Sequence, residues 1–419
     1  MENRFNNEGN DAQETVDSNE PSELGLAIDV SLNLNENVNI NEDNQASSSS
    51  STSDFDLNLP ASHSYLGANL KELRGRTLLD DGIYLNLPLL IKESIILFPG
   101  QTLPLTVYNT KVIDMLSNCI EKNRTFGVVN RNGVKLASLG TTAEIYEYTR
   151  ANPIEGFCVK AKGRQRFQIL QTNPINNGGE VTLANVKILP EKMLPHPFIE
   201  YKLTSLDNQR LDPTDREHRI LDKVESVEAL MTHWPAWIYR QYDIYKLAFK
   251  IRQQLQFIET KGKCIPRDPT ELSFWVAENL PLSNNQKIIL LKFDCAISRL
   301  RWELNYLITD RIIVCKNCDK YIGRPCDIIV MNKEGPQSTF CNANGEVHDT
   351  ITLSKAKNLV LIGYPSYHYS WFPGYYWTVT VCERCRCHMG WLFKTNKKKI
   401  LNPTFFWGLT RNGLRSKHI

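Results

Sequence analysis

No window of about 18 continuous apolar residues occurs in the chain, which argues against a membrane-spanning helix on length alone. A G-x-x-x-x-G-K-[ST] loop is also missing, so ATP-driven work has no visible engine. No nucleophile stands out beside a base, and no internal repeat is seen. Basic residues are nearly absent at the start: residues 1–60 hold 13 Asp and Glu against one Arg, a net −12. Without a basic opening and an apolar core, the expectation is a chain lacking a signal peptide. The same region has few aromatics and is rich in Asn, Glu and Ser, with a run at Ser47–Ser51. Such a segment buries too little apolar surface to offset its ordering entropy, so residues 1–75 are expected to form a disordered acidic tail.

The remainder is different in kind. It carries 48 Lys and Arg against 33 Asp and Glu, a net +15, and residues 311–419 alone carry 16 against 6. Eleven cysteines in a chain read as leaderless indicate a reducing compartment, cytoplasmic and nuclear, where paired CxxC motifs hold metal more often than they form disulfides.

From about residue 80, short apolar runs alternate with Gly, Pro and Asn. Leu87–Leu90, Ile95–Phe98, Leu103–Val107, Thr125–Val129, Ala143–Tyr148, Gly156–Ala161 and Arg166–Leu170 read as strands of a mostly antiparallel β region over 83–189. Lys111–Lys122 reads as one helix among them. Residues 190–308 turn helical, with an amphipathic stretch over Trp237–Glu259 and a capping box at Ser283–Gln286 opening one helix through Leu307. From 309 the pattern is β again, with strands at Asp349–Leu353, Leu359–Ile362 and Trp377–Val381.

The chemistry concentrates in the C-terminal part. Cys315-Lys-Asn-Cys318 and Cys382-Glu-Arg-Cys385 form two CxxC knuckles. Four thiolates close a tetrahedral shell and leave no position for water, so the expected cofactor is one structural Zn2+ rather than a catalytic ion. Cys326, Cys341, Cys387 and His388 lie close enough in sequence to compete.

The final fifty residues also hold four of the eight tryptophans. Trp371 and Trp377 flank a Pro-Gly turn, Trp391 follows the second knuckle, and Phe393 shares its strand face. Aromatics here could simply form a small core. Three indoles braced by one metal region also suit a cage for a flat guest, with backbone groups at Tyr369, Ser370 and Trp371 meeting its polar edges. A quaternary ammonium is less favoured, because no carboxylate occurs between Ser366 and Cys382. Single-stranded nucleic acid stacked on the indoles, with Lys397–Lys399 near its phosphates, is the alternative reading.

Tyr369-Ser-Trp-Phe-Pro-Gly-Tyr-Tyr-Trp377, the two CxxC pairs, Gly390-Trp391 and Phe406–Arg411 resemble the cereblon family. Leu103-Pro-Leu105, Gly140–Tyr146 and Gly163–Phe167 are similar to its middle region, which is like the N-terminal domain of Lon proteases. The resemblance spans about 83–415. It implies an α+β multidomain fold: a Lon-N-like domain over 76–308 whose helical part, 190–308, docks a damaged-DNA-binding-protein adaptor, then a zinc-bound, β-tent-like CULT domain over 309–419. It further implies a non-enzymatic substrate receptor of a cullin–RING ubiquitin ligase. Trp371, Trp377 and Trp391 would cage glutarimide small molecules or the cyclic-imide C-termini of client proteins, with Asn342 on a loop closing over them. Nucleic acid and membrane are not expected partners. Two positions depart from the family pattern: Tyr369 and Asn344 stand where relatives carry His.

Overall fold

The computed structural model describes residues 53–67, 69–93, 95–133, 135–149, 156–173, 179–209, 218–259, 265–395 and 401–418. The expected tail over residues 1–52 lies outside them.

The β region forms a seven-stranded sheet in the order Lys71–Glu72, Lys135–Tyr148, Thr125–Asn132, Ile83–Glu93, Val181–Leu189, Phe157–Thr172, Thr102–Val107. All neighbours are antiparallel except Ile83–Glu93 with Thr125–Asn132. An additional pairing of Lys135–Tyr148 with Phe157–Thr172 folds the sheet back on itself. The expected helix is present at Thr110–Glu121. Asn109 accepts from the Lys111 N–H as its cap, and Val112, Met115, Leu116 and Cys119 face the core at i, i+3, i+4 and i+7.

The described part of the second region holds a short 3-10 helix, Thr204–Gln209, and seven α-helices between His218 and Leu307. Its core gathers Leu247, Ile251, Leu255, Leu272, Leu290 and Leu300 around the buried helix Pro269–Asn279. Two expected helices are broken. Trp237–Glu259 divides into Ala236–Arg240, Ile244–Gln254 and Gln256–Glu259, because Asp243 accepts from the N–H groups of Tyr245 and Lys246 and starts a new helix. The Ser283 capping box is present, but its helix stops at Lys292 and another begins at Ala296. There the Phe293 carbonyl accepts from the guanidinium groups of Arg166, distant in sequence, and of Arg299 on the following helix, in place of a helical partner.

The C-terminal part is all β. A six-stranded antiparallel sheet runs in the order Gln337–Cys341, Val347–Leu353, Phe405–Thr410, His388–Thr395, Tyr375–Cys382, Leu359–Ser366. A small sheet of Tyr321–Gly323, Arg311–Cys315 and Leu414–His418 lies in the same part of the chain. Ser50–Ile419 forms one compact unit. Buried bonds join its parts: Lys287 to Asp349 at 3.0 Å, Gln101 to Thr339 at 3.0 Å, and Thr102 to Glu334 at 2.8 Å.

The expectation of disorder up to residue 75 needs correction over 53–75. Ser53–Asp54 pairs with Leu401–Asn402, and Phe55 packs edge-on against Tyr375 at 5.2 Å. His63 and Leu66 are buried, and Lys71–Glu72 joins the first sheet. Average composition hid a short stretch with enough apolar groups (Phe55, Leu57, Pro60, Tyr65, Leu66) to lie across preformed surface.

Candidate ligand cavity and metal centre

Antiparallel register assembles the aromatic site. Trp377 pairs with Phe393, and Val379 pairs with Trp391, so one face of neighbouring strands carries all four side chains. Trp371 arrives from the preceding turn. Its indole N–H donates to the Cys341 carbonyl at 3.1 Å, and its ring stacks on Phe340 at 4.9 Å. Trp371 and Trp391 meet edge-to-face at 4.6 Å. Trp377 donates its indole N–H to the His368 carbonyl at 2.8 Å, which links that ring to the turn.

These three indoles line one cavity of about 470 Å3 together with Tyr369, Phe393 and Asn342. Ser370 is not among its lining residues. Its hydroxyl donates to the Phe372 carbonyl at 3.1 Å, and the residue borders a neighbouring surface hollow with Tyr65 and Tyr367. Tyr369 has φ 52°, an uncommon backbone state for a residue with a Cβ, at the rim of both openings.

Several wall residues escaped the sequence reading. Glu346, His348, His368 and His388 all line the cavity. Glu346 accepts from the Asn342 amide at 3.0 Å and lies 3.8 Å from His348. The absence of a carboxylate between Ser366 and Cys382 therefore does not hold for the folded site, because Glu346 comes from another loop. Desolvation shifts the imidazole pKa values of His348 and His388 downward, which favours their neutral forms. His368 stacks on Tyr369 at 5.0 Å and brings an imidazole to the wall beside the position where relatives were expected to carry one. The signal for these residues lay in strand pairing, not in their neighbours in sequence.

The two CxxC knuckles converge. Sγ atoms of Cys315, Cys318, Cys382 and Cys385 lie within 4.8 Å of one another. The Cys315–Cys385 and Cys318–Cys382 separations are 3.6 and 3.5 Å. A tetrahedron with Zn–S bonds of about 2.3 Å has edges of about 3.8 Å, so the donor set fits a metal ion of that size. Asp319 and Arg386, just beyond each knuckle, take positive φ (58° and 57°) and turn the chain away. The cysteine cluster joins Ile313, Ile351, Met389 and Leu409 in one core, so the cysteines tie the small sheet to the large one. Cys326 is exposed and Cys341 is buried beside Leu66 and Cys158; neither belongs to the four-sulfur set. Among the described residues, no helix is long and apolar enough to cross a membrane.

The family model for the ATP-dependent protease La (LON) substrate-binding domain matches residues 86–309. The chain is 39% identical to the protein cereblon of Gallus gallus over 375 residues, covering 85% of this chain and 84% of that one. Against the Danio rerio cereblon it is 38% identical, covering 85% and 86%, and against that of Xenopus tropicalis 38%, covering 86% and 84%. A Lon N-terminal domain protein of Xanthomonas campestris covers 53% of this chain and 99% of its own at 20% identity and a TM-score of 0.32, a likeness too loose to add to these.

Proposed function

The chain belongs to the cereblon family, and on that premise we propose that it is a non-enzymatic substrate receptor of a cullin–RING ubiquitin ligase. Its guests would be cyclic imides: glutarimide small molecules, or client proteins ending in a cyclised residue. One observation carries the reading. Three indoles from separate segments wall a single cavity that also offers an amide and imidazoles favouring their neutral forms. Flat apolar walls suit the faces of an uncharged ring, and neutral polar groups suit its N–H and carbonyls. The four-thiol cluster would hold one structural Zn2+, bracing the strands on which Trp377 and Trp391 ride.

An exposed apolar surface supports an adaptor-docking role for the helical region. Leu230, Met231, Trp234, Trp237 and Tyr245 all lie open to solvent. So many exposed large apolar side chains within one short stretch of chain suit a protein interface, where aromatic anchors dominate binding energy. The proposed partner is the damaged-DNA-binding-protein adaptor of the ligase, acting in the cytoplasm and nucleus.

Calorimetric titration with glutarimide tests the cage. The native chain binds and Trp377→Ala loses at least about tenfold, since removing one wall of a small-ligand site costs more than ~1.4 kcal/mol. Tetramethylammonium is the competing arm, because Glu346 at the rim gives a cation a counter-charge. Cation capture without imide capture would overturn the reading. An oligonucleotide arm covers the zinc-ribbon alternative, whose binding would collapse as salt rises while imide binding holds.

A further inference from the structure

The metal centre contains a fifth sulfur. Cys387 Sγ lies 3.2 Å from Cys385 Sγ and 3.5 Å from Cys315 Sγ, closer to each than those two are to one another at 3.6 Å. Four thiolates already complete a tetrahedral shell, so with the two knuckles on the ion Cys387 is left outside the shell and against it. It is half-buried rather than sealed, and it borders a cavity of about 450 Å3 beside Lys316 and Asn412. His348 and His388 form part of that cavity's lining and part of the indole cavity's lining as well. Cys387 also directly precedes the strand His388–Thr395 that carries Trp391 and Phe393.

From this arrangement we infer that Cys387 is an oxidation site that governs metal retention. This rests on the reading of the four-cysteine cluster as a zinc site. Hydrogen peroxide is the oxidant. The Cys387 sulfur attacks one peroxide oxygen, the O–O bond breaks, and water leaves with the thiol proton, giving a sulfenic acid. A neighbouring ligand thiolate, Cys385 or Cys315, then attacks the Cys387 sulfur. The S–O bond breaks, a disulfide forms, and the departing hydroxide takes a proton from solvent. Two sulfurs are oxidised and one peroxide is reduced to two waters. Either linkage removes one of the four ligands, and the three that remain hold the ion weakly. Release loosens the strand bearing Trp391, so imide capture falls with it. Without Cys387 the oxidised thiol would have to be a ligand already shielded by the metal.

The test uses the purified full chain with its metal. Metal content is measured first, which reads the zinc assumption by itself. Peroxide is then added, metal release is followed with a chromogenic chelator, and disulfides are mapped by peptide mass spectrometry. The parent is expected to release its metal with Cys387 linked to Cys385 or Cys315, and a thiol reductant plus zinc restores it. Cys387→Ser and Cys387→Ala are expected to load metal normally and to release it at least about tenfold more slowly. Release from both variants at the parental rate overturns the inference. So does a metal-free product in which Cys387 is still a thiol, or a Cys387 variant that never loads metal, which would make Cys387 a ligand. If the parent proves metal-free as isolated, the zinc assumption fails, and the disulfide map alone decides whether Cys387 pairs as inferred.

Discussion

The phenol of Tyr108 donates to the carbonyl of Ala343 at 2.7 Å, tying the end of the strand Thr102–Val107 to the loop at the rim of the indole cavity. The loop shapes itself: Asn342 Oδ1 accepts from the N–H groups of Asn344 and Glu346 at 3.0 and 2.8 Å. Its position is set from outside. Gly345 has φ 82°, and a Cβ there would lie 2.5 Å from the Thr106 carbonyl oxygen, so only glycine lets the loop approach that strand.

Tyr108→Phe therefore removes the tether and leaves the cage walls in place. One hydrogen bond contributes about 1 kcal/mol, so the loss of imide affinity, set by how far the untethered loop strays, should reach at most about fivefold. Calorimetry on the two proteins checks this, and equal affinity would show that the loop needs no tether.

Removing the metal should cost far more. Cys315 and Cys382 are buried in the core that unites the two C-terminal sheets. Binding free energies of structural zinc reach about 10 kcal/mol, comparable with the stability of a whole domain. Chelation, or Cys318→Ser, is expected to abolish imide binding and to shift tryptophan emission to the red. Unchanged near-ultraviolet circular dichroism after complete chelation would contradict this.

His63 gives the segment 53–67 a pH dependence. The ring is buried against Phe340, and Nδ1 is 2.9 Å from the Tyr65 hydroxyl. Burial, with the Lys160 charge adding to it, pulls the imidazole pKa down from 6.5 to about 3. The folded state thus disfavours the proton, so the contribution is present above pH 6.5 and is lost progressively as pH falls toward about 3. Limited proteolysis should cut within 53–67 more readily at pH 5 than at pH 7.5, and His63→Gln should flatten that difference. A pH-independent cleavage rate in the parent would refute it.

Glu303 has the opposite sign. It is fully buried on the helix Ala296–Leu307, and neither carboxylate oxygen has a hydrogen-bond partner among the described residues. Burial holds its pKa well above the usual carboxylate value, with Arg299 only partly offsetting this. Its stabilising contribution is complete below the unfolded-state pKa and is lost as pH rises toward the folded one. The loss amounts to about 1.4 kcal/mol per pH unit. Glu303→Gln should therefore raise the denaturation midpoint at pH 7.5 and leave it nearly unchanged at pH 4. Equal shifts at both pH values would count against a protonated Glu303.

Much of the architecture was written in local pattern. Alternation along most of 83–189 and the 3.6-residue period at 111–122 follow from side-chain direction in strand and helix. But Ile95–Phe98, expected as a strand, is not one, and the two strands expected at 156–161 and 166–170 merge in the single strand Phe157–Thr172. The cysteine pairs and the indoles announced their regions by spacing and by kind. Helix ends are less legible: Asp243 is a local cap, whereas at Phe293 the carbonyl is taken by Arg166, 127 residues upstream, as well as by the nearer Arg299.

By itself, the sequence determined the order of a β region, a helical region and a second β region, and that two thiol pairs and a group of indoles share one region, because these depend on near neighbours along the chain. Tertiary structure alone decided that Glu346, His348 and His388 face the indoles, that Cys387 presses against the sulfurs of Cys385 and Cys315, and that residues 53–67 lie across the C-terminal sheet. Those arrangements arise from strand register and from the packing of surfaces hundreds of residues apart, and no local periodicity encodes such a meeting.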